Sequence, residues 1–285
     1  MTHTLRKASS AFSRMLLLLV CILSLSFFAR AQTPQPTPAA DEPDFIVPAR
    51  PTVSNPAEFQ RPGVLQLELG FNGNWRAPGD TSGQDTPLAL RFAISRRLLF
   101  EFDADSPISQ TAAGTRTTGA GDTQLGLQGV LAHQTHGRPG IAVAYYIKLP
   151  TASSEKGLGT GRVDHNFLAL ISKNIGQTTV DFNAIYLLAG RTTNDGHASS
   201  GQAALAASRN ISKRIGLQGE LSGLTRNDAQ PGALFTLAVA TYQVNHRLVF
   251  DGGMRFALTH EAPRVGAVAG LTVGIADLYR RHRHS

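Results

Sequence analysis

The sequence predicts an all-β chain closed into an antiparallel transmembrane β-barrel. Three observations carry this: apolar and polar side chains alternate with a period of two through most of the chain, an export signal precedes them, and lysine is scarce outside that signal.

The export signal comes first. Arg6, Lys7 and Arg14 form a positive opening without an acid, and Met15 to Phe28 is an apolar run of 14 residues. That run is short for a bilayer span. It ends in Ala29-Arg30-Ala31, a small-x-small cleavage pattern. An uncleaved anchor fits less well, and Val20 before Cys21 argues against a lipoprotein signal. The expectation is Sec-dependent export with cleavage between Ala31 and Gln32, leaving 254 residues (285 − 31) and removing the single cysteine. Four bases and no acids leave with residues 1–31, so the net charge falls from +7 to +3. Arg280, Arg281 and Arg283, in a basic tail over 280–285, account for that remainder. The high pI thus reports two chain ends rather than a basic face, and nucleic-acid binding has no footprint.

Residues 32–62 hold eight prolines in 31 positions and cannot pair as a strand. They read as an extended leader on the periplasmic side, either a tether or a partial plug. Phe45, Ile46 and Val47 are its one apolar cluster.

Alternation starts after Pro62-Gly63 and continues to residue 279. Leu65, Leu67, Leu69, Phe71, Gly73 and Trp75 interleave with Gln66, Glu68, Gly70, Asn72 and Asn74. No helix produces this pattern. About twelve such segments start near residues 64, 86, 98, 121, 139, 165, 178, 202, 215, 232, 248 and 264. The phase of the sixth, eighth and tenth is not decided by alternation. Short polar connectors at 95–97, 173–174, 212–214 and 245–247 alternate with longer ones at 76–86, 106–120, 151–164 and 191–201. Short periplasmic turns and longer external loops are the pattern of outer-membrane barrels.

A soluble β-protein also alternates, but its wet face should be dense in charge. After the signal only Lys148, Lys156, Lys173 and Lys213 remain, and the polar faces carry mainly Gly, Ala, Ser, Thr and Asn. Trp75, Phe167 and Phe235 are expected at the external rim, and Phe100, Phe250 and Tyr242 at the periplasmic one, as in an aromatic girdle. The chain therefore reads as an outer-membrane protein of a Gram-negative-type bacterium, with outer-membrane lipid and the barrel assembly machinery as partners.

Particular residues also resemble a known family. Arg50-Pro51 and Arg61-Pro62-Gly63-Val64-Leu65-Gln66-Leu67-Glu68 resemble the entry into the first strand of the outer-membrane family named for the MetA pathway of phenol degradation. Gly119-Ala120-Gly121-Asp122 resembles the family's Gly-x-Gly-Asp strand opening. Leu149-Pro150-Thr151 with Gly159-Thr160-Gly161-Arg162-Val163-Asp164 resembles its Leu-Pro-Thr-Gly and Gly-x-Gly-x-x-Asp loop. Ala49 stands where an acid often precedes Arg-Pro, Ala152 replaces a glycine, and Asp277-Leu278-Tyr279 plus a basic tail replaces the usual aromatic end. The resemblance covers about residues 50–276. It implies a barrel and suggests transport of small solutes, including hydrophobic or aromatic ones.

No enzyme chemistry is expected. Gly157-Leu158-Gly159-Thr160-Gly161 lacks the following helix that a phosphate loop needs. His133 and His136 fall at the opposite end of the barrel from His165, so no metal site is expected, and no cofactor. Ser95, Ser172, Ser208 and Ser212 have no facing histidine, which leaves an outer-membrane lipase without its base. A structural or adhesive barrel remains the alternative to a channel.

The lumen is where selectivity should lie. Its expected charged lining is Glu68, Arg91, Glu101, Asp103, Asp122, Lys148, Asp181, Glu220, Asp251 and Arg255. Seven acids against three bases predict a weak cation preference, with Asp103 and Asp122 facing each other at the selectivity region. Leu168, Leu170, Ile185, Leu187, Leu234 and Val244 fall on ambiguous or inward phases and would give a partly apolar lining.

Overall fold

The computed structural model describes residues 43–77, 81–112, 114–191, 196–226 and 232–279. The expected signal, residues 32–42 of the leader and the basic tail lie outside the described residues.

Thirteen strands are described: β1 (Val64–Ala77), β2 (Thr81–Ala93), β3 (Leu98–Ala112), β4 (Thr115–Gly119), β5 (Thr123–Ala132), β6 (Gly140–Leu149), β7 (Asp164–Ile175), β8 (Thr178–Gly190), β9 (His197–Asn210), β10 (Ile215–Leu224), β11 (Ala233–Asn245), β12 (Leu248–Ala257) and β13 (Val265–Asp277). All except β4 form one antiparallel ring. β5 pairs with β3, the strands from β5 to β13 pair in sequence order, β13 pairs with β1, and β2 joins β1 to β3. Every ring strand therefore has two neighbours, the condition for backbone polar groups to survive in hydrocarbon.

The side chains are arranged opposite to a soluble protein. Val143 is 44% exposed, Leu217 46% and Phe250 44%, whereas Gln66, Arg91 and Asn183 are fully buried. Apolar groups face outward as a belt and polar groups face inward, which a water-surrounded fold cannot sustain at this density.

Several local expectations change. The external loop expected at 106–120 is partly a hairpin. β3 continues to Ala112, turns through Gly114 (φ 78°) and returns as β4, which pairs with β3 over Ile108–Ala112. This hairpin is polar on both faces and rich in threonine, so it shows no alternation. For the same reason β2 and β9 begin at Thr81 and His197, ahead of the apolar residues that announce them. The short turn expected at Lys173-Asn174 is Gly176-Gln177. Gly176 adopts φ 61°, and Lys173 instead donates to the Thr135, His136 and Arg138 carbonyls of the β5–β6 connector.

The phases of the sixth, eighth and tenth segments are also fixed. Leu168, Leu170, Ala204, Ala206, Leu237 and Val239 point inward and are buried. Ile185 and Leu187 share the inward phase of β8, with Asp181 and Asn183. Leu234 and Val244 instead face outward, 47% and 37% exposed. Phe235 is not in the girdle: it faces the lumen, where the Arg255 guanidinium lies 5.2 Å from its ring centroid. Ala233, Leu234 and Phe235 are all apolar, so alternation could not tell their faces apart. Trp75, Phe167, Phe100, Phe250 and Tyr242 are outward and exposed.

The ring closes at a sealed corner. Leu278 N donates to Gly63 O at 2.7 Å, and the Tyr279 hydroxyl donates to Ile94 O at 3.0 Å. The Tyr279 ring meets Phe92 edge-on at 6.0 Å. Gly63, at φ 85°, leaves the space in which that ring sits.

Candidate functional site in the lumen

The lumen is occupied by the chain's own residues 43–62. The path starts at the short-turn end, where the Phe45 ring lies beside two cations. Arg61 lies 5.1 Å and Arg247 4.4 Å from its ring, and His246 meets its edge at 5.5 Å. The segment then climbs β1: Val47 exchanges two hydrogen bonds with the Gln66 amide, both 2.9 Å, and Ala49 N and Arg50 N donate to the two Glu68 oxygens. Arg50 lies in a groove made by Gly70 and Gly270, which face each other across β1 and β13. A Cβ at either glycine would overlap its guanidinium. That side chain donates to Ala269 O at 3.0 Å and pairs with Asp251 at 3.5 Å.

After Pro51 the segment crosses to the opposite wall. Ser54 N donates to Glu220 Oε2 at 2.8 Å, and Ser54 Oγ donates to Asp181 O at 2.8 Å. Asn55 bonds to Asn183 in the latter's satisfied amide orientation. The return leg runs past β7 and β5. Ala57 N donates to Ser172 Oγ, and Gln128 donates to the carbonyls of Pro56 and Ala57. Glu58 then receives His133 and Gln134 N at the short-turn end, and Phe59 packs on Ala93, Leu99 and Val130. Arg61 closes the loop on Asp277 at 2.6 Å.

A buried ionic cluster supports this path. Arg91 is fully enclosed, with Glu101 at 3.3 Å, Glu68 at 3.4 Å and Val47 O at 2.9 Å. Tyr146 donates to Glu101 Oε2 at 3.2 Å. An enclosed charge is tolerable only when paired in this way. Arg91 thus ties the wall of β1–β3 to the backbone of the inserted segment.

At the long-loop end, two stretches far apart in sequence form one unit. Asp122 Oδ1 accepts from Ala152 N, Thr151 Oγ1 donates to Gly121 O, and Thr123 N donates to Thr151 Oγ1. Lys148 bridges Asp122 at 3.1 Å and Asp164 at 2.6 Å and donates to Thr160 at 3.0 Å. Leu158 is buried against Ile108 and Ala152, which folds the 150–163 connector onto the base of the β3–β4 hairpin.

The sequence-predicted lumen residues all lie on the inward phase or at the mouth, but they do not form one site. Glu68, Arg91 and Glu101 belong to the buried cluster, and Asp251 to the segment's arginine. Asp181 accepts a 2.5 Å hydrogen bond from Ser172, and Glu220 holds Ser54. Arg255 donates to Asn74 at 2.5 Å. Asp103 accepts from Gln124 of β5, while Asp122 turns to Lys148, so the two have separate partners. Asp85, Asp105 and Asp164 are further inward acids that alternation did not single out. Asp85, bonded to Asn72, lies in a stretch read as loop; Asp105 falls just before the loop read at 106–120, past the residues whose alternation was followed; Asp164 was seen only as a loop's end. His165 lies on the outer surface, bonded to the Tyr145 hydroxyl at 2.8 Å and 5.6 Å from the His197 ring. Among the described residues no three His, Cys, Asp or Glu side chains group as metal ligands.

The two glycine-bearing loops and the first-strand entry thus each have structural partners in this chain. The profile of the MetA-pathway of phenol degradation family matches residues 49–274. The chain belongs to this family. A search among curated protein sequences finds no match. Among solved structures, the COG4313 outer membrane channel from Pseudomonas putida F1 matches with a TM-score of 0.61 at 14% identity, over 76% of this chain and 97% of that one. The NanC porin matches with a TM-score of 0.50 at 8% identity, over 74% of this chain and 99% of that one. These likenesses establish an outer-membrane-type barrel fold. In this member of the MetA-pathway family, Ala152 stands where the family pattern has glycine, and its methyl group fills the contact with Ile108 and Leu158.

Proposed function

We propose that this MetA-pathway family member is an outer-membrane channel for small solutes, including hydrophobic or aromatic ones, whose open cross-section is set by residues 43–62. The observation that carries the reading is the occupied lumen: a twelve-strand ring encloses more space than its side chains fill, and part of the remainder is taken by a segment held mainly through hydrogen bonds and ion pairs, with apolar packing at Ala57 and Phe59. Such a segment restricts passage and can be displaced without unfolding the ring. We read the chain as exported by the Sec route, cleaved after Ala31, inserted by the barrel assembly machinery and surrounded by outer-membrane lipid at its apolar belt. The inward acids, with Asp85, Asp105 and Asp164 added, still outnumber Arg91, Lys148, Arg255 and the inserted Arg50, which supports a weak cation preference.

The occupied lumen also fits a second reading, a structural barrel without transport. An enzyme has less support. Ser172 bonds to Asp181 rather than to a histidine, and His133 is engaged by Glu58. The test is reconstitution of the intact protein in vesicles and planar bilayers. A channel shows small conductance steps and entry of neutral solutes. A silent barrel, both intact and with the inserted segment loosened, supports the structural reading.

A further inference from the structure

The small net charge of the chain beyond residue 31 hides how its charges are sorted. Five short turns join ring strands at one end, at 94–97, 133–139, 176–177, 211–214 and 246–247. Together they hold six lysines and arginines and no aspartate or glutamate. The long connectors at the other end carry both signs, as with Glu155, Lys156 and Arg162, or Glu261 and Arg264. Asp44, Glu58 and Asp277 share the short-turn end but belong to the inserted segment and the closing strand, where His133 holds Glu58 and Arg61 holds Asp277.

Two of these turns are one device built twice. Ile94-Ser95-Arg96-Arg97-Leu98 and Ile211-Ser212-Lys213-Arg214-Ile215 share both a sequence pattern and a set of hydrogen bonds. Ile94 N and Ser95 N donate to Leu98 O at 2.9 and 3.1 Å, as Ile211 N and Ser212 N donate to Ile215 O at 2.9 and 3.2 Å. The serine hydroxyl accepts from Arg97 N at 3.1 Å in one turn and from Arg214 N at 3.2 Å in the other. In both, two exposed bases stand between apolar residues that continue the outward belt: Ile94 and Leu98, each 38% exposed, and Ile211 and Ile215, 59% and 41%. Arg214 also donates to the hydroxyl of the outward Tyr242 at 3.4 Å. The two turns lie on opposite sides of the ring, six strands apart in either direction.

A base just beyond the hydrocarbon edge sits at the level of lipid phosphates. Two residues of strand rise, roughly 6 Å, take the chain from the apolar belt into a headgroup layer roughly 5–7 Å deep on each side. Paired cations there attract an anionic lipid surface, and the arginine fork matches the oxygens of a phosphate. A soluble polyanion would not need the bases bracketed by residues that hydrocarbon covers.

We propose that these two turns form an interaction surface for anionic phospholipids, each basic pair holding a headgroup phosphate in the leaflet at the short-turn end. Gripped on opposite sides, the ring is held level in that leaflet. The inference goes beyond the channel reading and does not depend on whether the barrel conducts.

The test uses the intact protein in phosphatidylcholine vesicles that contain either brominated phosphatidylglycerol or brominated phosphatidylcholine. Bromine quenches a nearby tryptophan, and Trp75 is the one tryptophan of the chain. At the long-loop rim it serves as the control. In a Trp75→Phe background, Phe100→Trp and Leu217→Trp report the two turns from outward positions two residues inside Leu98 and Ile215. Quenching should favour phosphatidylglycerol about threefold or more at both reporters, and less than about 1.5-fold at Trp75. Arg96→Gln with Arg97→Gln should abolish the preference at Phe100→Trp and leave Leu217→Trp unchanged. Lys213→Gln with Arg214→Gln should do the reverse. Arg96→Lys with Arg97→Lys should keep the preference, and high salt should weaken it with no basic residue changed. Heat-dependent electrophoretic mobility checks that each barrel is folded. An equal preference at both rims, or one that survives loss of the bases, overturns the inference. Equal quenching by the two lipids at both reporters also overturns it and assigns the turns to a soluble partner instead.

Discussion

Glu68→Ala should loosen the inserted segment while leaving the ring intact. Glu68 is 2% exposed and receives Ala49 N at 2.9 Å, Arg50 N at 3.1 Å and Gln66 Nε2 at 2.6 Å, with Arg91 at 3.4 Å. Without it, two backbone N–H groups of the docked segment lose their acceptor. Each buried unpaired donor costs about 1–3 kcal/mol, so docking should weaken by about 2–6 kcal/mol. At 1.4 kcal/mol per factor of ten, the displaced-to-docked ratio rises roughly 30-fold at the low end and above 10,000-fold at the high end. Water entering the vacated space favours the low end. Once displaced, the same N–H groups are hydrated, so the penalty falls on the docked state alone. Planar-bilayer recording should then show a higher mean conductance and longer open periods. Heat-dependent electrophoretic mobility, which reports ring closure, should not change. Wild-type conductance from a correctly folded Glu68→Ala barrel would refute the assignment of Glu68 as the segment's anchor.

Further outcomes follow from the same contacts. Val143→Arg places a charge on the lipid-facing belt and should cost about 2–4 kcal/mol in refolding into vesicles if the site is near mid-membrane, whereas Asn72→Arg on the inward face should cost much less. Gln66, though also inward, will not tolerate arginine, because its fully buried amide is bonded to Val47. Asp103→Asn should weaken cation preference measured by reversal potential. Asp122→Asn removes one of the two carboxylates held by Lys148 and should expose the 150–163 connector to protease. Tyr279→Ala removes the ring on Phe92 and the bond to Ile94 O and should slow barrel closure in refolding kinetics, with little change in conductance.

How far the fold could be read depended on what each face meets. Strands with lipid on one side and a polar lumen on the other, such as β1 and β12, declare themselves by alternation. Where both faces share one character the signal vanishes. The β3–β4 hairpin is polar on both sides, and Ala233-Leu234-Phe235 is apolar on both. The charged lining was legible because a charge in a period-two pattern has only one side to occupy. Its grouping was not. Glu68, Arg91 and Glu101 come from three strands, and what unites them is the backbone of residues 47–50, whose proline-rich sequence carries no periodicity. The Asp122–Lys148–Asp164 bridge was equally hidden, since it depends on strand register and on the fold of a long connector.

The central claim, a channel narrowed by its own N-terminal segment, is tested most directly by single-channel conductance of the intact barrel beside one lacking residues 43–61. The account predicts small, weakly cation-selective steps from the intact protein and steps several-fold larger after the deletion. Equal conductance in two correctly folded barrels, or silence in both, would contradict it.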